Sequence, residues 1–162
     1  LGREVTTVPA DTRPRATGQR ASVILRVVVA VALTVDAVVH LRLAAGYQQA
    51  EAGGIGSGNL FRIEAVSALV VAVWVLWRGS RLALLSAFAV GFSAAVAVVL
   101  YRYVNIPAIG PLPAMYEPVW FLEKSVSEAF EGLAAVAAAA ALVGLSRSRA
   151  SDEARADLQP ER

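Results

Sequence analysis

Asp36 and His40 stand four residues apart inside an otherwise apolar stretch, while Glu64, Glu128 and Glu131 interrupt two others. Residues at i and i+4 share one face of a helix, so Asp36 and His40 would meet. A carboxylate beside an imidazole can hold a proton, bind a cation or orient a small polar molecule. Ionisable groups at membrane depth are costly and mark candidate functional positions. Arg62 and Arg102, near the ends of their stretches, supply candidate partners of opposite charge. The candidate ligand-binding set is therefore Asp36, His40, Arg62, Glu64, Arg102, Glu128 and Glu131.

Three uses of this set compete. In a structural network, Asp36 accepts from His40 and Lys124 lies i,i+4 from Glu128. Arg42, Arg62 and Arg102 then snorkel or pair with Glu64 and Glu131. In a binding pocket open to the outside, the same groups hold a small polar molecule, a lipid or quinone headgroup, or a proton-coupled solute. In a metal or haem site, Asp36 and His40 come first. One imidazole with carboxylates suits Fe, Mn or Zn better than Cu(I). A haem would find His40 as its nitrogen ligand and Met115 as a remote second. Glu128 and Glu131 lack the histidine of the di-iron Glu-x-x-His pattern. The cofactor stays open at this point. No catalytic constellation emerges. There is no cysteine, and no spacing ties Ser67, Ser86, Ser93, Ser125 or Ser127 to the single histidine. Such serines in apolar helices bond their own backbone or a neighbouring helix.

The elements that must position these groups are apolar stretches at roughly 21–45, 60–77, 82–101 and 122–145. About 20 apolar residues at 1.5 Å rise cross a hydrocarbon core of roughly 30 Å. With 162 residues, 57% of them hydrophobic and 17% charged, the chain reads as an all-α, four-helix transmembrane bundle. Disordered polar tails at 1–20 and 147–162 would flank a bundle at 21–146. Arginines at 3, 13, 15 and 20, at 78 and 81, and at 147 and 149 mark three clusters. All three agree on an N-in/C-in topology in the cytoplasmic membrane. Under that orientation Asp36 lies about 15 Å beyond Arg26, near the midplane. Glu128 and Glu131 lie roughly 9 and 14 Å below the outer end of the fourth helix. The charged groups thus crowd the outer half, and at least one carboxyl there should carry a proton near neutral pH.

The first stretch has a basic lead and small residues at Ala44-Ala45-Gly46, as a signal peptide does. Asp36 and His40 interrupt it, so it reads as a retained span. The chain opens with Leu1, which leaves an alternative start codon and a truncated terminus both open. The net charge of +2 does not indicate nucleic acid, because the arginines sit at segment ends and form no stripe. The glycines at 53, 54, 56 and 58 lack the Lys-Ser/Thr of a phosphate loop and read as a flexible connector spanning 46–59. Pro107, Pro111, Pro113 and Pro118 forbid a regular helix in the second outer loop. Tyr101, Tyr103, Tyr116, Trp120 and Phe121 make it an interface-anchored lid. Gly91 with Ala95, Ala140 with Gly144, and Gly132 with Ala135 are expected close-packing points. Gly79→Ala, in an exposed turn, should matter less than Gly132→Leu.

Two segments, Asp36-Ala-Val-Val-His40-Leu-Arg42-Leu and Gly110-Pro-Leu-Pro-Ala-Met-Tyr-Glu-Pro118, together with the hairpin layout, resemble small four-helix membrane proteins of actinobacteria, broadly DoxX-like. The resemblance covers roughly residues 21–146. It implies a membrane location; the expected partners are the lipid bilayer and other membrane subunits. The functional expectation is a non-enzymatic membrane component with an outward-facing polar pocket for a small molecule, a lipid or a partner subunit. The alternative is a small redox partner holding quinone or metal there.

Overall fold

In a computed structural model, residues 13–49 and 55–157 are described. They form four α-helices: α1 (Arg13–Gln49), α2 (Ser57–Arg78), α3 (Arg81–Tyr103) and α4 (Leu122–Asp157). All four are long and apolar enough to cross a membrane. The helices at the two ends outrun the expected spans. Residues 13–20 and 147–157 are helical where polar tails were expected to be disordered. Arg, Ala and Glu are good helix formers, and a helix already nucleated propagates at little cost. The remaining tail residues, 1–12 and 158–162, lie outside the described residues, as do Gly53 and Gly54 of the connector.

The turn between α2 and α3 is built by two residues. Gly79 closes α2 in the left-handed region at φ 52, and the Ser80 hydroxyl caps α3 by accepting from the Ala83 amide at 3.2 Å. The Arg26 guanidinium of α1 lies on that turn, where a Cβ at Gly79 would strike it. The expectation that Gly79→Ala matters less is thereby corrected: positive φ and Arg26 both exclude a side chain. The start of α1 and the end of α4 lie together and line a cavity of about 650 Å³ that includes Ser22, Ala141 and Gly144. These features define a terminal end of the bundle.

At the opposite, loop end, Ile106 pairs with Met115 and Ile109 with Leu112 in a short antiparallel turn around Gly110. The turn is tied down by hydrogen bonds from the Ile55 amide to the Pro111 carbonyl (3.1 Å) and from the Glu117 amide to the Tyr101 carbonyl (3.0 Å). Prolines that prevent helix thus leave room for a compact cover.

α1 packs mainly on α2 and α4, and α4 on α3, with sparser packing between α2 and α3. The interior is built largely from alanine: Ala30, Ala32 and Ala37 of α1 and Ala65, Ala68 and Ala72 of α2 are buried. Ala83 and Ala87 of α3 and Ala134, Ala137, Ala138 and Ala141 of α4 complete it. Larger apolar side chains point outward, among them Ile24, Val31, Val70, Val73, Leu82 and Val136. Small inside and large outside is the arrangement expected where lipid gives no hydrophobic drive and close backbone approach does the packing.

Close approach occurs at Gly91, whose added Cβ would lie 2.8 Å from the Glu131 carbonyl and 3.2 Å from the Ala135 amide nitrogen. Gly132 and Gly144, expected to do the same, have nothing within 4 Å of such a Cβ. Both stand beside open space, Gly144 at the cavity between α1 and α4. Gly58 is a contact the sequence did not suggest: it is buried against the Ala44 carbonyl and Gln48 of α1. The connector read as flexible therefore begins α2 in direct contact with α1.

Candidate functional site

Two i,i+4 pairs face one another across the α1–α4 seam. Asp36 and His40 come from α1; Ser127 and Glu131 come from α4. Helical periodicity puts each pair on one face, and the alanines beside them let the two faces close. Asp36 is 1% exposed and Glu131 is fully buried at 0%. The Ser127 hydroxyl lies 2.5 Å from Asp36 Oδ1, 3.1 Å from Glu131 Oε1 and 3.4 Å from His40 Nδ1. His40 Nδ1 lies 3.0 Å from Asp36 Oδ1 and 3.2 Å from the Asp36 carbonyl oxygen. His40 Nε2 lies 4.0 Å from Glu131 Oε1. Gly91 lets α3 support α4 at the Glu131 backbone, so the seam is held from behind.

The bonding in this cluster does not balance by itself. Ser127 carries one hydroxyl hydrogen, yet oxygens of two carboxylates lie within bonding reach. Asp36 Oδ2 and Glu131 Oε2 are buried with no hydrogen-bond partner. Among the described residues no lysine or arginine forms an ion pair with either carboxylate, and His40 is their only paired base. Buried negative charge at this depth requires compensation by a proton or a cation.

Of the sequence-derived set, Asp36, His40 and Glu131 are brought together. Glu64 of α2 is half-buried, has one carboxylate oxygen without a partner, and lies within electrostatic reach of His40 and Asp36. The other three stand apart. Arg62 is exposed and donates to Asn59 at 2.7 Å and Gln48 at 3.4 Å. Arg102 lies over the Tyr103 ring at 5.4 Å, with its Nε unpaired. Glu128 keeps a buried oxygen without a partner. Lys124 does not close the expected bridge to Glu128: its Nζ donates to the Glu117 carbonyl at 2.5 Å and sits over Trp120 at 5.2 Å. A lysine at the helix start finds the carbonyl of the preceding loop closer than a carboxylate one turn deeper. Long cations gather at the rim, and the network of Arg42, Arg62 and Arg102 with buried carboxylates does not form among the described residues.

Ser127 is the residue that sequence reasoning missed. Its signal was present: it precedes Glu131 by four residues, repeating the Asp36–His40 spacing on another helix. Above the cluster, the Phe61 ring meets His40 edge-on at 5.1 Å and lies 4.7 Å from the Tyr47 ring. The Tyr47 hydroxyl donates to Glu117 Oε2 at 3.2 Å. An aromatic layer thus separates the cluster from the 104–121 loop, which Tyr47 and Lys124 fasten down.

Chemically, one donor atom from each of Asp36, His40 and Glu131 lies within 4.8 Å of the other two, a grouping able to hold a metal ion. The cavity of about 650 Å³ is at the other end of the bundle and includes none of these residues. No protein-family model matches the chain, and neither a curated protein nor a solved structure matches it.

Proposed function

We propose that the chain is a multi-pass protein of the cytoplasmic membrane, with both ends inside, that binds a small polar ligand at the Asp36–His40–Ser127–Glu131 cluster. It acts as a non-enzymatic component of that membrane, and its outer face is the loop end. The ligand enters from outside past the 104–121 cover, with Glu64 as an accessory carboxylate. The observation that carries this reading is two buried carboxylates, each with an unpartnered oxygen, and no lysine or arginine paired to them among the described residues. A purely structural network would be expected to close its own bonds. Kinship with DoxX-like proteins rests on the hairpin layout and the two segments that prompt the comparison.

Orientation is tested by reporter fusions. Fusions after Arg149 and within the Arg78–Arg81 turn should report the cytoplasmic side, and one at Tyr116 the external side. A turn fusion that reports external would overturn the orientation, and the outward access with it.

A further inference from the structure

The geometry points to a site for a first-row divalent cation such as Zn²⁺, Mn²⁺ or Fe²⁺, held by Asp36, His40 and Glu131 and ordered by Ser127. It rests on the reading of this cluster as a ligand site and names the ligand class.

Four observations converge. First, the three residues each offer a donor atom within 4.8 Å of the others. Metal–nitrogen and metal–oxygen bonds of about 2.0–2.2 Å place two ligands up to roughly 4.2 Å apart, so small side-chain rotations close the set. Second, each carboxylate has one oxygen within hydrogen-bonding reach of the single Ser127 hydroxyl and one, Asp36 Oδ2 or Glu131 Oε2, with no partner. Both residues are at least nine-tenths buried, so those oxygens are shielded from bulk solvent. Third, the imidazole is already oriented. Nδ1 rests on the Asp36 backbone carbonyl at 3.2 Å, which leaves Nε2 for an ion on the Glu131 side, at 4.0 Å from Oε1. That separation is too long for a hydrogen bond and fits a bridging cation. A backbone carbonyl on one ring nitrogen and a metal on the other is a recurrent arrangement around bound metal, and it leaves the Asp36 carboxylate free to ligate. Fourth, a divalent ion supplies the positive charge that no lysine or arginine among the described residues provides.

The donor chemistry narrows the ion. Nitrogen with two carboxylates suits Zn²⁺, Mn²⁺ and Fe²⁺, while Cu(I) calls for sulfur ligands and the chain has no cysteine. Ca²⁺ calls for 6–8 oxygen ligands, more than these side chains offer.

The chain has one histidine, which makes the test clean. Full-length protein, freed of any purification tag and labelled with ¹⁵N-histidine, is titrated with Zn²⁺ in detergent micelles while the two ring-nitrogen resonances are followed. The expected result is a shift that saturates at one equivalent, with Nε2 moving most. Glu131→Gln should weaken Zn²⁺ binding at least tenfold, and Ser127→Ala by roughly 10–100-fold, as loss of an orienting partner does. Glu123→Gln, on an exposed residue, should leave it unchanged. Parent protein whose His40 resonances ignore excess Zn²⁺ and Mn²⁺ overturns the inference without recourse to any variant. Unchanged affinity in Glu131→Gln also overturns it, since the imidazole would then be acting alone. Carbethoxylation of His40 by diethyl pyrocarbonate separates this failure from failure of the underlying reading. Modification without any metal response leaves an accessible site that takes no metal. Neither modification nor metal response removes both. Zn²⁺ that shifts the ring and blocks carbethoxylation supports both.

Discussion

The two halves of the bundle are built from the same helices on different principles. Toward the terminal end, Val29, Leu33, Val75, Leu84, Ala138 and Ala141 make an apolar interior, with the Arg26 guanidinium at its edge on the Gly79 turn. Toward the loop end, the same seam between α1 and α4 carries Asp36, His40, Ser127 and Glu131, with unpaired oxygens and an aromatic cover. Alanine packing would have served the whole length. Departure from it in one half, at the cost of buried polar groups, is what supports the proposed site there.

The comparison can be broken most forcefully by moving a carboxylate across it. Ala138→Asp places a charge in the apolar half with no partner, and should cost about 3–5 kcal/mol, enough to remove folded protein from detergent extracts. Asp36→Asn, which keeps size and removes charge in the polar half, should retain the fold. Comparable yields for Ala138→Asp and the parent would show that the apolar half is not dry.

Gly91 and Gly132 lie on opposite sides of the same distinction between seam and lipid face. Gly91→Leu drives a side chain into the Glu131 backbone and should destabilise by about 1–3 kcal/mol in a thermal melt. Gly132→Leu meets no neighbour and should leave the melt within about 0.5 kcal/mol of the parent. Equal effects would place both glycines on one kind of surface.

Two smaller effects sharpen the picture. Ser127→Ala removes the only hydroxyl between two buried carboxylates and should cost about 1–3 kcal/mol. Gly79→Ala at the terminal end must take up positive φ and displace Arg26, for about 1–2 kcal/mol. A neutral Gly79→Ala would mean that the Arg26 guanidinium moves freely off the turn.

Legibility in the sequence followed the range of the interaction. The four helices, the Arg78–Arg81 turn and the Asp36–His40 face were readable because each depends on neighbours within a few residues. Ser127 was not, because its significance comes from residues 91 and 87 positions away in the chain. Gly91 and Gly132 looked alike for the same reason: small-residue spacing says that a helix can be approached, not from which side. Charge placement misled where long side chains have a choice. Arg62, Arg102 and Lys124 were read as counter-ions, yet they reach rim partners such as Asn59, Tyr103 and the Glu117 carbonyl instead of buried carboxylates.

The claim that the polar half is a site open to the external side is tested most directly by access to Ser127. The chain has no cysteine, so Ser127→Cys provides a single thiol at the centre of the cluster. In sealed, right-side-out membrane vesicles, a small membrane-impermeant thiosulfonate should modify it. The rate should fall when the 104–121 cover is cross-linked to Tyr47 through a Tyr47→Cys, Glu117→Cys pair. A thiol that stays unmodified from outside but reacts in inverted vesicles would contradict the outward-facing site. A thiol inert from both sides would reduce the cluster to packing.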